Sequence, residues 1–133
     1  MGDIKKNMRR KFFLVQFCFV LYGCGDIKTD CNFFEKIRRD ENCIMIVEIP
    51  PKPASVYFEA FGKNIENGKP CICKEESRWW ATISDQIKKG DTIIKRKGEL
   101  LFEIRKKDTI LKFKWKCENG IYLNMPPEIS RRS

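Results

Sequence analysis

The sequence predicts a mainly β domain, a small sandwich or barrel of about six to eight strands with at most one short N-terminal helix. Residues 109–117 alternate strictly between apolar side chains on one face and mostly lysines on the other, as a half-buried strand does. Short runs of branched and aromatic residues recur between turn residues, a pattern typical of all-β domains. Helical periodicity is confined to one stretch near residue 30.

The chain begins with a basic cluster followed by an apolar run. Residues 12–22 are apolar except for Gln16, and five cations lie between positions 5 and 11. The run is too short for a membrane-spanning helix, which needs about 20 apolar residues. It fits the apolar core of a secretory signal, which is about 7 to 15 residues long. Translation can start at Met1 or Met8, since either start keeps a basic flank. The alternative is a buried first strand, although such a cluster of cations is unusual beside a core strand.

The end of this run resembles the lipid-attachment signal of bacterial lipoproteins. Leu21-Tyr22-Gly23-Cys24 has the branched aliphatic residue, the tolerant position, the small residue and the cysteine of that signal. The resemblance implies that residues 1–23 are removed as a lipoprotein signal peptide and that Cys24 is lipidated. Acyl chains would then hold the protein in the membrane, each buried CH₂ contributing about 0.8 kcal/mol. Removal of residues 1–23, which carry five cations and one anion, lowers the net charge from +9 to +5.

The remaining chain divides into three parts. We expect a tether at residues 24–29, the β domain at 30–125 and a polar tail at 126–133, with residues 128–133 frayed. Asp30 predicts the N-cap of a short helix that has Phe33, Phe34 and Ile37 on one face.

Three strands are expected in the first half of the domain, at residues 43–49, 55–61 and 78–83. Pro50 and Pro51 end the first, because proline cannot donate to a ladder. In the third strand Trp79 and Trp80 would point to opposite faces. One would fill the core, and the other would lie near the surface, where it could stack on a sugar or contact a protein. The alternative is partial burial under a loop.

Residues 99–117 predict a β-hairpin with Lys106-Lys107-Asp108 as its turn. The inward-facing side chains of its second strand are expected to be Leu111, Phe113, Trp115 and Cys117. The outward-facing ones are expected to be Lys112, Lys114 and Lys116. These lysines could contact phosphates or an anionic polymer, or they could form a solvated face that discourages edge pairing.

Five cysteines remain beyond the signal and the lipidated residue: Cys31, Cys43, Cys71, Cys73 and Cys117. Outside the cytoplasm, thiols at this density tend to pair. Cys71 and Cys73 are too close together for an easy mutual bridge. We therefore expect one of these two to bridge to Cys117, Cys31 to bridge to Cys43, and the fifth cysteine to be left over.

The composition argues against an enzyme. The chain has no histidine, so a Ser-His-Asp or Cys-His arrangement cannot form. The C-x-C spacing of Cys71 and Cys73 does not match a zinc site, and the glycines do not form a phosphate-binding loop. We expect no catalytic residue, no metal and no cofactor.

A second resemblance covers roughly residues 43–123. The segment Gly90-Asp91-Thr92-Ile93-Ile94-Lys95, followed by an alternating strand and the turn at residues 106–108, is similar to a pattern in small predicted lipoproteins of Gram-negative bacteria, a set without an assigned function. The Gly-Asp pair also resembles the sheet-corner turn of lipoyl-like domains. This resemblance implies a positive φ at Gly90 and a side-chain cap from Asp91.

These observations together predict a lipid-anchored, non-catalytic protein of the Gram-negative cell envelope, attached to the outer membrane. The function we expect is a binding or interaction module. The partner would be a protein or an anionic envelope polymer rather than nucleic acid, since a charge of this size lacks the dense basic stripe of a nucleic-acid binder. The alternatives are a structural lipoprotein without a ligand and a periplasmic immunity or inhibitor protein.

Overall fold

The computed structural model describes residues 29–133, and this part of the chain is mainly β. It contains two α-helices, α1 (Cys31–Asp40) and α2 (Arg78–Ile83), with a 3-10 turn at Ser84–Gln86. The strands are β1 (Cys43–Ile49), β2 (Phe58–Lys63), β3 (Pro70–Glu75), β4 (Thr92–Lys95), β5 (Leu101–Arg105), β6 (Thr109–Lys114), β7 (Cys117–Glu118), β8 (Ile121–Tyr122) and β9 (Glu128–Arg131).

Seven strands form one antiparallel sheet in the order β3-β2-β1-β4-β5-β6-β9, and β7 pairs with β8 in a separate ribbon. The predicted fold class is therefore confirmed as mainly β. The large sheet is open, so the barrel alternative does not hold. The hairpin predicted around residues 106–108 is present as β5 and β6.

The sheet has one buried face, which we call the inner face, and one largely exposed face, which we call the outer face. Helix α2 covers the inner face, where the ring of Trp80 lies 4.8 Å from the rings of both Phe58 and Phe102. Inward-pointing side chains of β1, β2, β4, β5 and β6 complete this core. As predicted, Leu111, Phe113 and Trp115 are buried in it.

Residues 78–83 form a helix, so the prediction of a strand there is wrong. The side chain of Ser77 accepts a hydrogen bond from Trp79 N and caps this helix. Trp79, Trp80 and Ile83 all turn toward the core and are buried. The expectation that one tryptophan lies near the surface is therefore also wrong, because the helical turn puts neighbouring residues on one side. With α2, the domain has two helices rather than one.

Helix α1 begins where the sequence predicts it, since the carboxylate of Asp30 accepts a hydrogen bond of 3.2 Å from Phe33 N. The other end of the domain differs from expectation. Residues 128–131 form β9, whose backbone pairs with β6 from Lys112 to Thr109. The frayed tail was a wrong prediction, because backbone pairing orders a segment whose side chains are mostly exposed.

The turn before β4 has the geometry implied by the Gly-Asp pair. Gly90 has a φ of +90°, and the side chain of Asp91 accepts a hydrogen bond of 2.9 Å from Lys88 N. The same carboxylate lies 2.5 Å from Lys106 Nζ. Backbone bonds from Gly90 N to Val47 O and from Val47 N to Asp91 O fasten the turn to β1. The turn thus links strands β1, β2 and β3 to the strands β4, β5 and β6 that follow it in the chain.

The disulfides are Cys31–Cys117 and Cys43–Cys73, so the predicted pairing of Cys117 with Cys71 or Cys73, and of Cys31 with Cys43, is wrong. Four strands separate β3 from β6 in the sheet, which keeps Cys71 and Cys73 away from Cys117. The sheet instead curls enough to bring the Cα atoms of Cys43 and Cys73 to 5.8 Å. Cys71 is the free cysteine of the described region, in line with the expectation that one cysteine is left over.

Candidate partner-binding groove

A groove of about 590 Å³ lies on the outer face where β1, β2 and β3 meet. We call it the outer groove and define it by its apolar residues Ile49, Pro50, Tyr57 and Phe61 and its polar residues Lys52, Ser55, Glu59, Lys74 and Glu76. Ile49 and Tyr57 are 58% and 56% exposed, far more than a core side chain would be. Large exposed apolar side chains that cluster with a polar rim are characteristic of interaction sites.

The outer groove forms because β1 is interrupted at its end. The register of β1 and β2 shifts between Val47 and Ile49, a bulge that bends the strand. Pro50 and Pro51 then prevent further pairing. The following segment closes one side of the groove, and its turn is held by a bond of 3.1 Å from Tyr57 N to Ser55 Oγ.

Gly62 permits the close packing of β1 on β2 beneath the groove. A Cβ atom at this position would lie 2.0 Å from the carbonyl oxygen of Ile46. This distance is far inside van der Waals contact, so the bulged strands can approach each other only with glycine at this site.

Apolar surface continues from the outer groove toward the edge of the sheet. Ile72 of β3 pairs directly with Phe61 of β2 and is 60% exposed. Ile46 of β1 lies on the same face and is 44% exposed. The groove is therefore part of a wider apolar patch on the outer face of β1, β2 and β3.

Of the three predicted contact lysines, Lys112 and Lys114 lie on the outer face of β6, opposite its buried side chains, as expected, and Lys116 is exposed just beyond the end of that strand. Lys112 is directly opposite Glu103 of β5 and Glu128 of β9. Lys116 Nζ lies 2.8 Å from Glu118 Oε1. Two of the three lysines thus have carboxylates as neighbours, whereas Lys114 is opposite Leu101 and has a large exposed surface.

The two predicted contact tryptophans lie in the core rather than at a surface. Trp79 reaches the boundary of a shallow apolar pocket of about 120 Å³ that Tyr122 and Leu123 also line. Trp80 is fully buried and donates a hydrogen bond of 2.7 Å from Nε1 to the carboxylate of Glu41. The ring of Trp80 therefore offers no face on which a sugar could stack, and Trp79 is only 8% exposed.

Glu41 is the centre of a buried polar cluster between α1 and α2. Its Oε1 lies 2.5 Å from Nη1 of Arg38, and both side chains are 7% exposed. Burial raises the pKa of Glu41 to about 7, against the opposing effects of the Trp80 hydrogen bond and the Arg38 charge. Burial also raises the pKa of Glu75, which lies near the same cluster.

Lys95 supports this cluster from the sheet. It is fully buried, and its Nζ donates bonds of 2.9 Å to Glu41 O and 2.7 Å to Arg96 O. Burial lowers the pKa of Lys95, whereas the charge of Glu41 opposes that change. The cluster ties the end of α1 to β4. Glu41 pairs with Arg38 and with Trp80, whereas the buried Nε of Arg38 has no hydrogen-bond partner among the described residues. The pairs within the cluster favour a structural role.

The remaining predicted site residues are the cysteines. Cys24 lies outside the described residues. Cys71 is half-buried on β3, and burial together with the charge of Glu48 raises the pKa of its thiol. A thiol with a raised pKa has less thiolate at neutral pH and is therefore a weaker nucleophile.

Within residues 29–133, no cluster of three or more potential metal ligands is found. The helices in the same range are too short or too polar to span a membrane.

Sequence reasoning missed the residues of the outer groove and the Glu41 cluster. Pro50-Pro51 after an apolar strand indicated that β1 ends there, but the exposure of Ile49 and Tyr57 and the half-burial of Phe61 depend on which face of the curled sheet remains uncovered. No local signal marks Glu41 as buried, because its partners Trp80 and Lys95 lie 39 and 54 positions away.

Comparison with known proteins adds no relative. No protein-family model matches the chain, and no curated protein or solved structure is significantly similar to it.

Proposed function

We propose that this protein is a lipid-anchored, non-catalytic interaction module of the Gram-negative cell envelope that binds a protein partner through the outer groove. The outer groove carries the proposal. It combines solvent-accessible apolar side chains with a rim of two lysines and two glutamates. Such a surface suits a protein segment better than a uniformly charged polymer.

The proposed location rests on two further observations. The resemblance of residues 21–24 to a lipid-attachment signal supplies the anchor at Cys24, with the outer membrane as the expected site. The two disulfides favour an oxidising compartment, because disulfides are rare in reducing cytosol.

Site-specific photo-crosslinking in intact cells tests this function. A photoreactive phenylalanine analogue at Tyr57 is expected to capture a defined partner protein, and the same analogue at Ile129, an exposed residue of β9, serves as the matched control. The charge introduced by Ile49→Glu should abolish capture at Tyr57. Equal products from both positions would contradict the assignment of the groove. A chain that stays uncrosslinked at Tyr57 would favour a structural lipoprotein instead.

A further inference from the structure

One end of the seven-stranded sheet brings three basic segments of the chain side by side. They are the turn before β4, the end of β5 with the turn that follows it, and the end of β9, at residues 88–91, 105–109 and 131–132. The pairing of β4 with β5, of β5 with β6 and of β6 with β9 makes these segments neighbours. We call this surface the basic end, and its cations are Lys88, Lys89, Arg105, Lys106, Lys107, Arg131 and Arg132.

Hydrogen bonds hold the three segments of the basic end together. The carboxylate of Asp91 accepts a bond of 2.9 Å from Lys88 N and lies 2.5 Å from Lys106 Nζ. Arg132 N donates to Asp108 O at 2.9 Å, and Arg132 Nη1 donates to Lys106 O at 3.2 Å. The backbone that carries the cations is therefore fixed before any partner binds.

Most cations of the basic end have no acidic partner. Lys106 pairs with Asp91, and Arg105 Nη2 lies 3.1 Å from Glu103 Oε2. The other cations are exposed and form no ion pair within the described part of the chain: Lys88, Lys89, Lys107, Arg131 and Arg132. Asp108 is the exposed carboxylate of the three segments. The basic end thus carries five unpaired cations beside a single exposed anion.

Cations elsewhere on the domain have carboxylates beside them. Lys116 Nζ lies 2.8 Å from Glu118 Oε1, Arg39 Nη2 lies 2.8 Å from Glu35 Oε1, and Lys112 is opposite Glu128. The basic end is therefore more than a reflection of a lysine-rich composition. Like charges that the fold holds together repel one another, and an anionic partner relieves that repulsion.

We propose that the basic end binds an extended polyanion, a linear polymer whose successive anionic groups meet successive cations. From β4 to β9 the surface crosses three strand spacings, about 14 Å, which is longer than one phosphate or carboxylate group. The basic end shares no residue with the outer groove. The proposal therefore does not depend on the partner of the groove or on the lipid anchor.

The composition of the basic end favours a simple polyanion over two other partners. Its three segments contain no aromatic residue, whereas single-stranded nucleic acids are held by aromatic rings on which the bases stack. They contain no large apolar residue either, whereas the centre of a protein interface is rich in such side chains. Lysine and arginine both bind anionic oxygens, and arginine does so through paired N–H donors.

Calorimetric titration of the full chain in non-ionic detergent with linear polyphosphate, over a series of NaCl concentrations, tests the proposal. Contact with five cations should make log Kd rise with log[NaCl] at a slope of about 3.5, since each neutralised charge on a flexible strand contributes about 0.7. Lys88→Gln/Lys89→Gln removes two of these contacts. This variant should lower the slope by about 1.4 and weaken binding at low salt by about tenfold or more.

Lys112→Gln/Lys116→Gln is the matched control, because it removes the same charge from lysines that have carboxylate neighbours. It should weaken binding less than about threefold, and circular dichroism verifies that both variants are folded. Pyrophosphate at the same phosphate concentration should not displace the polymer, since it spans only part of the surface.

Three results would overturn the proposal: a wild type that does not bind polyphosphate, equal losses in the two double variants, and displacement by pyrophosphate. Tighter binding of single-stranded DNA with the same number of charges would also overturn it and would assign the basic end to nucleic acid.

Discussion

The Cys31–Cys117 disulfide is expected to be the largest single covalent contribution to stability. It joins residues 86 positions apart. In the chain-entropy model, a closed loop of this length stabilises the fold by about 4.6 kcal/mol. Both cysteines are only half-buried, so replacing them with alanine adds a small packing loss. The variant Cys31→Ala/Cys117→Ala should therefore lose about 4–5 kcal/mol of its free energy of unfolding.

Denaturation by guanidinium chloride, followed by tryptophan fluorescence, measures this loss. Trp79, Trp80 and Trp115 are all buried, so their emission should change on unfolding. Cys71→Ala is the matched control, because it removes a thiol without opening a loop and should cost under about 1 kcal/mol. A double variant whose loss does not exceed that of Cys71→Ala would refute the reasoning.

The three remaining predictions concern the buried carboxylate, the packing of β1 on β2, and the anchor. The folded protein holds the pKa of Glu41 at about 7, above its ordinary 4.5, so between these pH values the folded state binds more protons than the unfolded state. The free energy of unfolding should therefore fall by up to about 3 kcal/mol as the pH rises from 4.5 to 7. Glu41→Gln should flatten this dependence in denaturation curves, and an unchanged slope would contradict it. Gly62→Ala should lower the free energy of unfolding, measured by denaturation, by about 1–3 kcal/mol, since its Cβ meets the Ile46 carbonyl. Glu59→Ala, which changes an exposed residue of the same strand, should lower it far less. Cys24→Ser should abolish labelling by a radioactive fatty acid and stop processing, whereas normal membrane retention of this variant would disprove the anchor.

The sequence predicted features that depend on local chemistry. Alternation along residues 109–117 identified β6 and its buried face, because a strand presents every second side chain to the same side. Asp30 identified the start of α1, and the Gly90-Asp91 turn was predicted correctly since a positive φ and a short side-chain cap need only neighbouring residues.

Features set by tertiary structure were predicted wrongly. The run at residues 78–83 is too short for its apolar period to distinguish a helix from a strand. β9 is held by backbone bonds to β6, which its polar sequence does not reveal. The disulfides depend on the curl of the sheet, which brings Cys43 of β1 to Cys73 of β3 across an intervening strand.

The outer groove belongs to this second group. Ile49 and Phe61 look like ordinary core residues in the sequence, and only the face on which they lie leaves Ile49 exposed and Phe61 half-buried. The elements that could have covered this face, α1 and α2, both serve the inner side through Phe34 and Trp80. An uncovered apolar surface is therefore a result of topology rather than of composition.

The nested connectivity of the disulfides has a consequence for biogenesis. The Cys31–Cys117 bridge encloses the Cys43–Cys73 bridge. If the chain enters an oxidising compartment N-terminus first, Cys31 and Cys43 arrive together, long before Cys117. Oxidation of cysteines in order of arrival would join these first two and exclude both native bridges. Maturation would then require thiol–disulfide exchange, so the yield of native protein should depend on a disulfide isomerase and not on an oxidase alone.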